Sequence, residues 1–307
     1  METRNLGSLE VSLAGLGCNN FGRRINEAQT HAVVDAALES GINFFDTADV
    51  YGGGLSEEFL GKALGNRRDQ VLIATKFGHG EGDKRGGSAR WIAEAVEASL
   101  KRLGTDRIDL YQMHVPDDEV PIEETLEALT RLVKDGKVIE IGCSNFTGDQ
   151  ISKATEAAGS SGLHRFVSAQ NHYSLMEREV EKEVLPACAT HGLGMLPYFP
   201  LANGLLTGKY RKGEAAPEGT RLAALPADRA SSVFSEENFA TIERLEDFAS
   251  ANGRTILEVA LCWLACQPTV ASVIAGATKP EQVKANAKAV DWKLSPEALS
   301  AINDLVQ

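Results

Sequence analysis

The chain is short of cysteine, proline and aromatic side chains: 5 Cys, 10 Pro and 6% Phe, Trp and Tyr among 307 residues. Five thiols, an odd number in a chain this long, are too sparse for a disulfide scaffold. Few prolines beside 43% hydrophobic residues exclude collagen-like repeats and a disordered chain. Long apolar runs are missing too. The stretch 270–277 falls well short of the ~20 residues a spanning helix needs. Met1-Glu2-Thr3-Arg4 leads into a mixed segment with no apolar signal core. Positive charge is scarce: 31 Lys and Arg against 43 Asp and Glu leave a net charge of −12. Such a chain repels nucleic-acid backbones and anionic membrane surfaces. A small anionic cofactor stays open, because a few local cations and helix N-termini suffice to hold one. The expectation is a soluble, cytoplasmic protein with a small-molecule partner, neither nucleic acid nor membrane, and with its oligomeric state left open.

What is present is an alternation. Short apolar runs at 13–17, 42–45, 71–74, 108–113, 138–142, 166–169, 194–196 and 271–274 read as buried parallel strands. Amphipathic helices lie between them. Ile122, Leu126, Leu129, Leu132 and Val133 share one helical face, with Pro121 near its start and Gly136 at its end. Ile92, Val96, Leu100 and Leu103 form a second stripe closed by Gly104, and Val33, Val34, Ala37 and Leu38 a third closed by Gly41. No linker interrupts the series. Eight strands in this order predict an α/β protein: a single (β/α)8 TIM barrel spanning 1–307, a fold of typically ~250 residues plus extensions. Residues 4–11 read as a hairpin turning at Gly7-Ser8 that could plug the barrel bottom. The stretch 202–235, after the seventh strand, holds Gly204, Gly208, Gly213, Gly219, Pro217 and Pro226 and reads as a long loop or lid. A doubly wound sheet is the rival, but Gly15-Leu16-Gly17-Cys18-Asn19-Asn20 lacks the third glycine of a dinucleotide-binding turn.

In such a barrel, reactive side chains stand at the C-terminal ends of the strands. The polar residues there are Asp46 and Thr47, then Tyr51; Thr75 and Lys76; Gln112 and His114; Ser144 and Asn145; Gln170 and Asn171. A carboxylate keeps a buried lysine charged, and a charged lysine beside a phenol is expected to lower the phenol's pKa from ~10. Tyr51 then becomes a proton donor near neutral pH, and His114 can orient a carbonyl oxygen. No nucleophile–base pair and no metal-ligand cluster is evident. A site that donates a proton without a nucleophile needs hydride from elsewhere, which a nicotinamide supplies.

At these residues the chain resembles the aldo-keto reductase family over essentially its whole length. The matching motifs are Asn43-Phe44-Phe45-Asp46-Thr47-Ala48 with Tyr51-Gly52, Ala74-Thr75-Lys76-Phe77-Gly78, Ile108-Asp109-Leu110-Tyr111-Gln112-Met113-His114, Ile141-Gly142-Cys143-Ser144-Asn145-Phe146 and Gly204-Leu205-Leu206-Thr207-Gly208-Lys209-Tyr210. The resemblance implies an enzyme that reduces aldehydes or ketones to alcohols, or runs the reverse, by hydride transfer with NADP(H), with NAD possible. Tyr51 would be the general acid/base, tuned by Lys76 and Asp46. Ser144, Asn145 and Gln170 would hold the nicotinamide carboxamide, and Tyr198, with Phe199 beside it, would stack on its ring. Leu201, Gly204 and Lys209 would line the pyrophosphate, with Gly17, Cys18 and Asn19 beside the cofactor. Gly276, Thr278, Lys279, Gln282 and Asn286 would form the adenosine-phosphate end, Lys279 facing a 2′-phosphate. Gln282, Ala285 and Ala275 stand where many members carry Arg, Glu and Pro, so the choice between NADP and NAD stays open.

Taken singly, these residues have plain structural readings: Asp46 as a cap, Lys76 as a surface lysine, His114 as a core histidine and Tyr51 as a turn aromatic. Their convergence on one barrel mouth favours chemistry. Cys262 and Cys266, four apart on an apolar helix, read as packing, and the acidic segment 236–248 as a solvated face. Phe21, Phe77, Trp91, Phe199 and Phe234 are the aromatic candidates for a substrate pocket. Two other functions fit the pattern. One is a cofactor-binding regulatory subunit resembling potassium-channel β subunits. The other is a lyase forming a Schiff base on Lys76, which an adjacent Asp46 opposes.

Overall fold

A computed structural model describes residues 1–80, 82, 86–224 and 233–306. Two strands, β1 (Thr3–Leu6) and β2 (Leu9–Ser12), pair antiparallel, turning at Gly7-Ser8. Eight parallel strands follow: β3 (Ala14–Gly17), β4 (Phe44–Asp46), β5 (Leu72–Phe77), β6 (Ile108–Met113), β7 (Val138–Ser144), β8 (Ser168–Gln170), β9 (Gly194–Met195) and β10 (Val273–Gly276). Their order in the sheet is β10-β3-β4-β5-β6-β7-β8-β9. The ends meet just below β10: Met195 N–H donates to Thr269 O at 2.8 Å, and Ala271 N–H to Met195 O at 2.9 Å. The fold is a (β/α)8 barrel.

Helices α1 (Glu27–Glu39), α2 (Leu55–Leu64), α3 (Ala89–Leu103), α4 (Ile122–Lys134), α5 (Gly148–Ser161), α6 (Val184–His191), α7 (Glu236–Ala251), α8 (Ile256–Ala265), α9 (Pro280–Ala289) and α10 (Pro296–Leu305) surround it. The sequence signals set their ends. Pro121 caps α4, where a missing N–H costs nothing. Gly104 closes α3 in the left-handed conformation, φ +64°. The acidic α7 is solvated on one face only; Phe239, Ile242, Leu245 and Ala249 are buried. No helix among the described residues is long and apolar enough to cross a membrane.

The period of two along each strand separates two cores. Phe45, Ile73, Tyr111 and Met113 face outward into the layer shared with the helices. Phe44, Ala74, Leu110, Leu196 and Ile274 pack together inside the barrel with Leu6, Leu9 and Val11 of the hairpin. The hairpin is therefore the barrel's floor. Two residues further along the same inner faces stand Asp46, Lys76 and Gln112. Apolar floor and polar upper layer are consecutive steps of one alternation, which is why the chemistry gathers at the C-terminal mouth.

The connection after β9 is less irregular than its composition predicts. It makes short 3₁₀ turns at Ala202–Thr207 and Leu222–Ala224. Residues 225–232 of the expected loop, Pro226 among them, lie outside the described residues.

Candidate active site

Lys76 is fully buried at the end of β5, and its Nζ donates to Asp46 Oδ2 at 2.7 Å and to Thr47 O at 2.8 Å. Asp46 Oδ1 accepts from Gln170 Nε2 at 2.8 Å and from Gln112 Nε2 at 3.3 Å. The carboxylate is thus gripped from three strands. The ammonium lies 5.2 Å from the centroid of the Tyr51 ring. Tyr51 opens a short helical turn, Tyr51–Gly54, just beyond β4. Gly52 there has φ +60°, and a Cβ would stand 2.9 Å from Phe21 O, so the turn packs backbone to backbone on the loop after β3. The His114 ring meets Tyr51 edge-on at 5.9 Å between centroids.

Burial works against the Lys76 cation, but Asp46 and Tyr51 outweigh it, and the lysine's pKa lies above its ordinary value. Tyr51 departs from the expectation that Lys76 lowers its pKa. Burial raises it, the pull of Lys76 opposes and Asp46 adds to the rise; the net shift is upward. The phenol consequently stays protonated across the neutral range. His114 is pushed down to about 2, first by burial, then by Lys76 and His79. It is a neutral imidazole, and its Nδ1 has no hydrogen-bond partner among the described residues.

These groups border a cavity of about 1230 Å³. Of the residues singled out from the sequence, Gly17, Cys18, Asn19, Asp46, Tyr51, His114, Ser144, Asn145, Gln170, Tyr198, Phe199, Leu201, Gly204, Lys209, Gly276, Thr278, Lys279, Gln282 and Asn286 all line it. Lys76 stands behind Asp46 rather than on the wall. Of the aromatic candidates only Phe199 reaches the cavity. Phe21 and Phe77 are buried in the core, and Trp91 and Phe234 pack against it.

Several polar groups are already committed to one another. Asn145 Nδ2 donates to His114 O and Ser144 Oγ, and its Oδ1 accepts from Tyr198 OH at 2.8 Å. His172 stacks on Tyr198 at 5.4 Å between centroids with an interplanar angle of 8°. Gln282 Oε1 accepts from Thr278 N–H at 2.8 Å. Gln170, expected only as a ligand of the nicotinamide, uses its amide nitrogen on Asp46. Backbone strain clusters here as well: the non-glycine residues with positive φ among the described residues are Asn145, Phe199, Ala202 and Asn203. Three of them line the cavity, which matches the gathering of strained backbone at functional sites.

The far end of the cavity suits a phosphorylated ligand. Gly204 has φ +101°, and a Cβ would stand 3.1 Å from Lys209 Nζ, so the bare backbone and the ammonium face the same space. Lys279 is the N-cap of α9, whose first N–H groups have no side-chain cap. Cation and exposed amides together attract phosphate. The residues present therefore fit a dinucleotide.

Sequence reasoning missed Gln112 as a support of Asp46, although it stands next to the last residue of β6, two residues before His114. It also missed Arg23, Arg24 and Arg221 on the rim; two adjacent arginines in an acidic chain were the available signal.

Comparison with known proteins places the whole chain in a family. The model of the Aldo/keto reductase family matches residues 14–307. The chain is 40% identical to an uncharacterized oxidoreductase, YrpG, of Bacillus subtilis (strain 168), covering 99% of this chain and 96% of that protein. It is 36% identical to a probable voltage-gated potassium channel subunit beta of Oryza sativa subsp. japonica, covering 100% and 97%. A protein with the same description from Arabidopsis thaliana is 37% identical, again over 100% and 97%. The chain belongs to the aldo/keto reductase family.

Proposed function

We propose that the chain is an NADP(H)-dependent oxidoreductase that interconverts aldehydes or ketones with alcohols, Tyr51 acting as general acid/base. The observation that carries this reading is the set Asp46–Lys76–Tyr51–His114 at the mouth of a cavity large enough for a dinucleotide. Ser144, Asn145, Gln170 and Tyr198 would hold the nicotinamide, Leu201, Gly204 and Lys209 the pyrophosphate, and Gly276, Thr278, Lys279, Gln282 and Asn286 the adenosine end. When bound, the nicotinamide supplies hydride.

The chain's own residues manage the proton. Neutral His114 offers a hydrogen bond to a carbonyl oxygen without competing for its proton. Tyr51, protonated at neutral pH, donates to that oxygen as negative charge develops there. The Lys76 ammonium lies close enough to stabilise the phenolate that remains, and Asp46 keeps Lys76 charged. The site draws on strands from β3 to β10, which supports reading residues 1–307 as one domain.

Tyr51→Phe tests the assignment. General acid catalysis contributes on the order of 10²–10⁴ in rate. The variant should lose at least that much in NADPH-dependent carbonyl reduction while NADPH still quenches the protein's fluorescence. Near-normal turnover would remove Tyr51 from the acid role.

The relatives described as channel subunits support a second reading, a cofactor-binding regulatory subunit. It expects NADPH binding with no turnover across a carbonyl panel. A Schiff-base lyase fits less well, since it needs a lysine of lowered pKa and Lys76 is shifted the other way.

A further inference from the structure

Cys262 and Cys266 read as packing from the sequence, and the structure agrees only for Cys262. That thiol is fully buried within α8. Cys266, the C-cap of the same helix, is partly open to solvent, alone among the five cysteines. The two sulfurs stand 4.0 Å apart. The pair lies at the floor of the barrel, where α8 ends before β10 begins, and neither cysteine lines the catalytic cavity.

The surroundings of the pair are fixed. Cys266 N–H donates to Cys262 O at 2.9 Å, which holds the last helical turn closed. Cys262 Sγ donates to Trp292 O. The Trp292 ring lies under the Arg254 guanidinium, 5.0 Å from it, so the segment after α9 is seated on the pair. Arg4, from β1, donates to Ala265 O at 2.6 Å. The charges of Lys293 and Arg4 both act on Cys266.

Geometry decides what two such sulfurs can do. Residues four apart on a helix have Cβ atoms ~5–6 Å apart, whereas a disulfide needs ~3.5–4.5 Å. A direct S–S bond would therefore require the last turn of α8 to open. An ion between the sulfurs removes that demand. Two metal–sulfur bonds of ~2.3 Å span ~3.8 Å at a tetrahedral angle and ~4.6 Å in line; the observed 4.0 Å lies between. Structural zinc and iron–sulfur clusters take four ligands, and no third His, Cys, Asp or Glu completes a metal-binding group with the pair among the described residues. Copper(I) is a soft ion that thiolates select, and two sulfurs satisfy it. Two thiolates around it carry a net charge of −1, which Arg4 and Lys293 offset. The same cations favour the thiolate forms.

We propose that Cys262 and Cys266 form a copper(I) site, a two-sulfur clamp at the C-terminal end of α8 and outside the catalytic cavity. On binding, each sulfur releases its proton to solvent and gains a bond to copper, and no electron changes hands. The inference goes beyond the oxidoreductase reading and does not depend on it.

The test is anaerobic competition for copper(I) between the reduced protein and bicinchoninate, whose copper(I) complex is coloured. Wild-type protein should withdraw one equivalent. Cys266→Ser should weaken uptake by roughly 100-fold, as expected for the loss of one ligand. Cys262→Ala/Cys266→Ala, which keeps the other three thiols, should abolish it. A second measurement needs no variant: copper(I) should protect Cys266 of the wild-type protein from iodoacetamide, read by mass spectrometry of the peptide that carries it. NADPH should quench the protein's fluorescence equally with and without copper(I). No uptake by the wild-type protein overturns the proposal. So does uptake retained by the double variant, which would place the ion on Cys18, Cys143 or Cys188. Loss of NADPH binding on copper(I) addition would put the ion in the cavity and overturn it as well. Diamide linking Cys262 to Cys266 in protein that takes up no copper(I) would make the pair a redox couple instead.

Discussion

Lys76 and Asp46 form an ion pair at 2.7 Å whose side chains are 0% and 5% exposed. The two are not equally dependent on it. Asp46 also accepts from Gln112 and Gln170, whereas the other hydrogen bond of Lys76 runs to Thr47 O. Removing one member of a buried pair costs ~3–5 kcal/mol. Asp46→Asn should show that full loss in urea unfolding, because it strands a buried ammonium. Lys76→Met should lose less, since both amides still serve the carboxylate. A greater loss for Lys76→Met would contradict this division of the pair's support.

His114 provides a pH test. With its pKa pushed down to about 2 by burial, Lys76 and His79, it carries no proton to release between pH 5 and 8. Its ring resonances should stay constant over that range in an NMR titration. The reduction rate should show no limb from this residue near the ordinary histidine value of ~6.5. Tyr51, shifted upward, should place the alkaline limb of reduction above pH ~10. A His114 midpoint near neutrality would overturn its assignment as a neutral donor.

The barrel was legible because its strands are short, apolar and separated by helices with glycine ends. Ile108–Met113 coincides with its expected span, and β4 and β10 differ from theirs by shifts along the same runs. The site was legible where a polar residue ends a strand, as at Asp46, Lys76 and His114. Two things were not. The sign of the Tyr51 shift depends on how much water the tertiary structure removes, and burial exceeds the pull of Lys76. Gln112 looks like any strand glutamine until the closure of the barrel brings it beside Asp46, 66 positions away.

Asp49, two residues before Tyr51, is pushed up to about 7, chiefly by burial and then by Glu57, and its Oδ1 has no hydrogen-bond partner among the described residues. The unfolded chain releases this proton near pH ~3.9. Between those values the folded state binds more protons, so stability falls as pH rises, and the penalty is complete above pH ~7. Asp49→Asn removes the ionisation and should stabilise the protein at pH 8 by up to about 4 kcal/mol. The gain should shrink toward zero at pH 4. A difference independent of pH would show that Asp49 does not titrate in this way.

The proposed function gives Lys279 the choice between the two nicotinamide cofactors. This lysine is exposed, caps α9 without a side-chain hydrogen bond, and lines the cavity at that helix's N-terminus. A charge-assisted hydrogen bond to phosphate contributes ~1.5–3 kcal/mol, which is about 10- to 150-fold in affinity. NADH lacks the 2′-phosphate and therefore any such contact. Lys279→Ala should weaken NADPH by about that factor and leave NADH within about threefold, as read from fluorescence quenching at fixed ionic strength. Raising the salt should narrow the wild-type preference, because the ammonium is open to solvent and screened. Equal weakening of both cofactors would take Lys279 off the 2′-phosphate and leave Gln282, whose Oε1 is already bound to Thr278, to face it through its amide nitrogen.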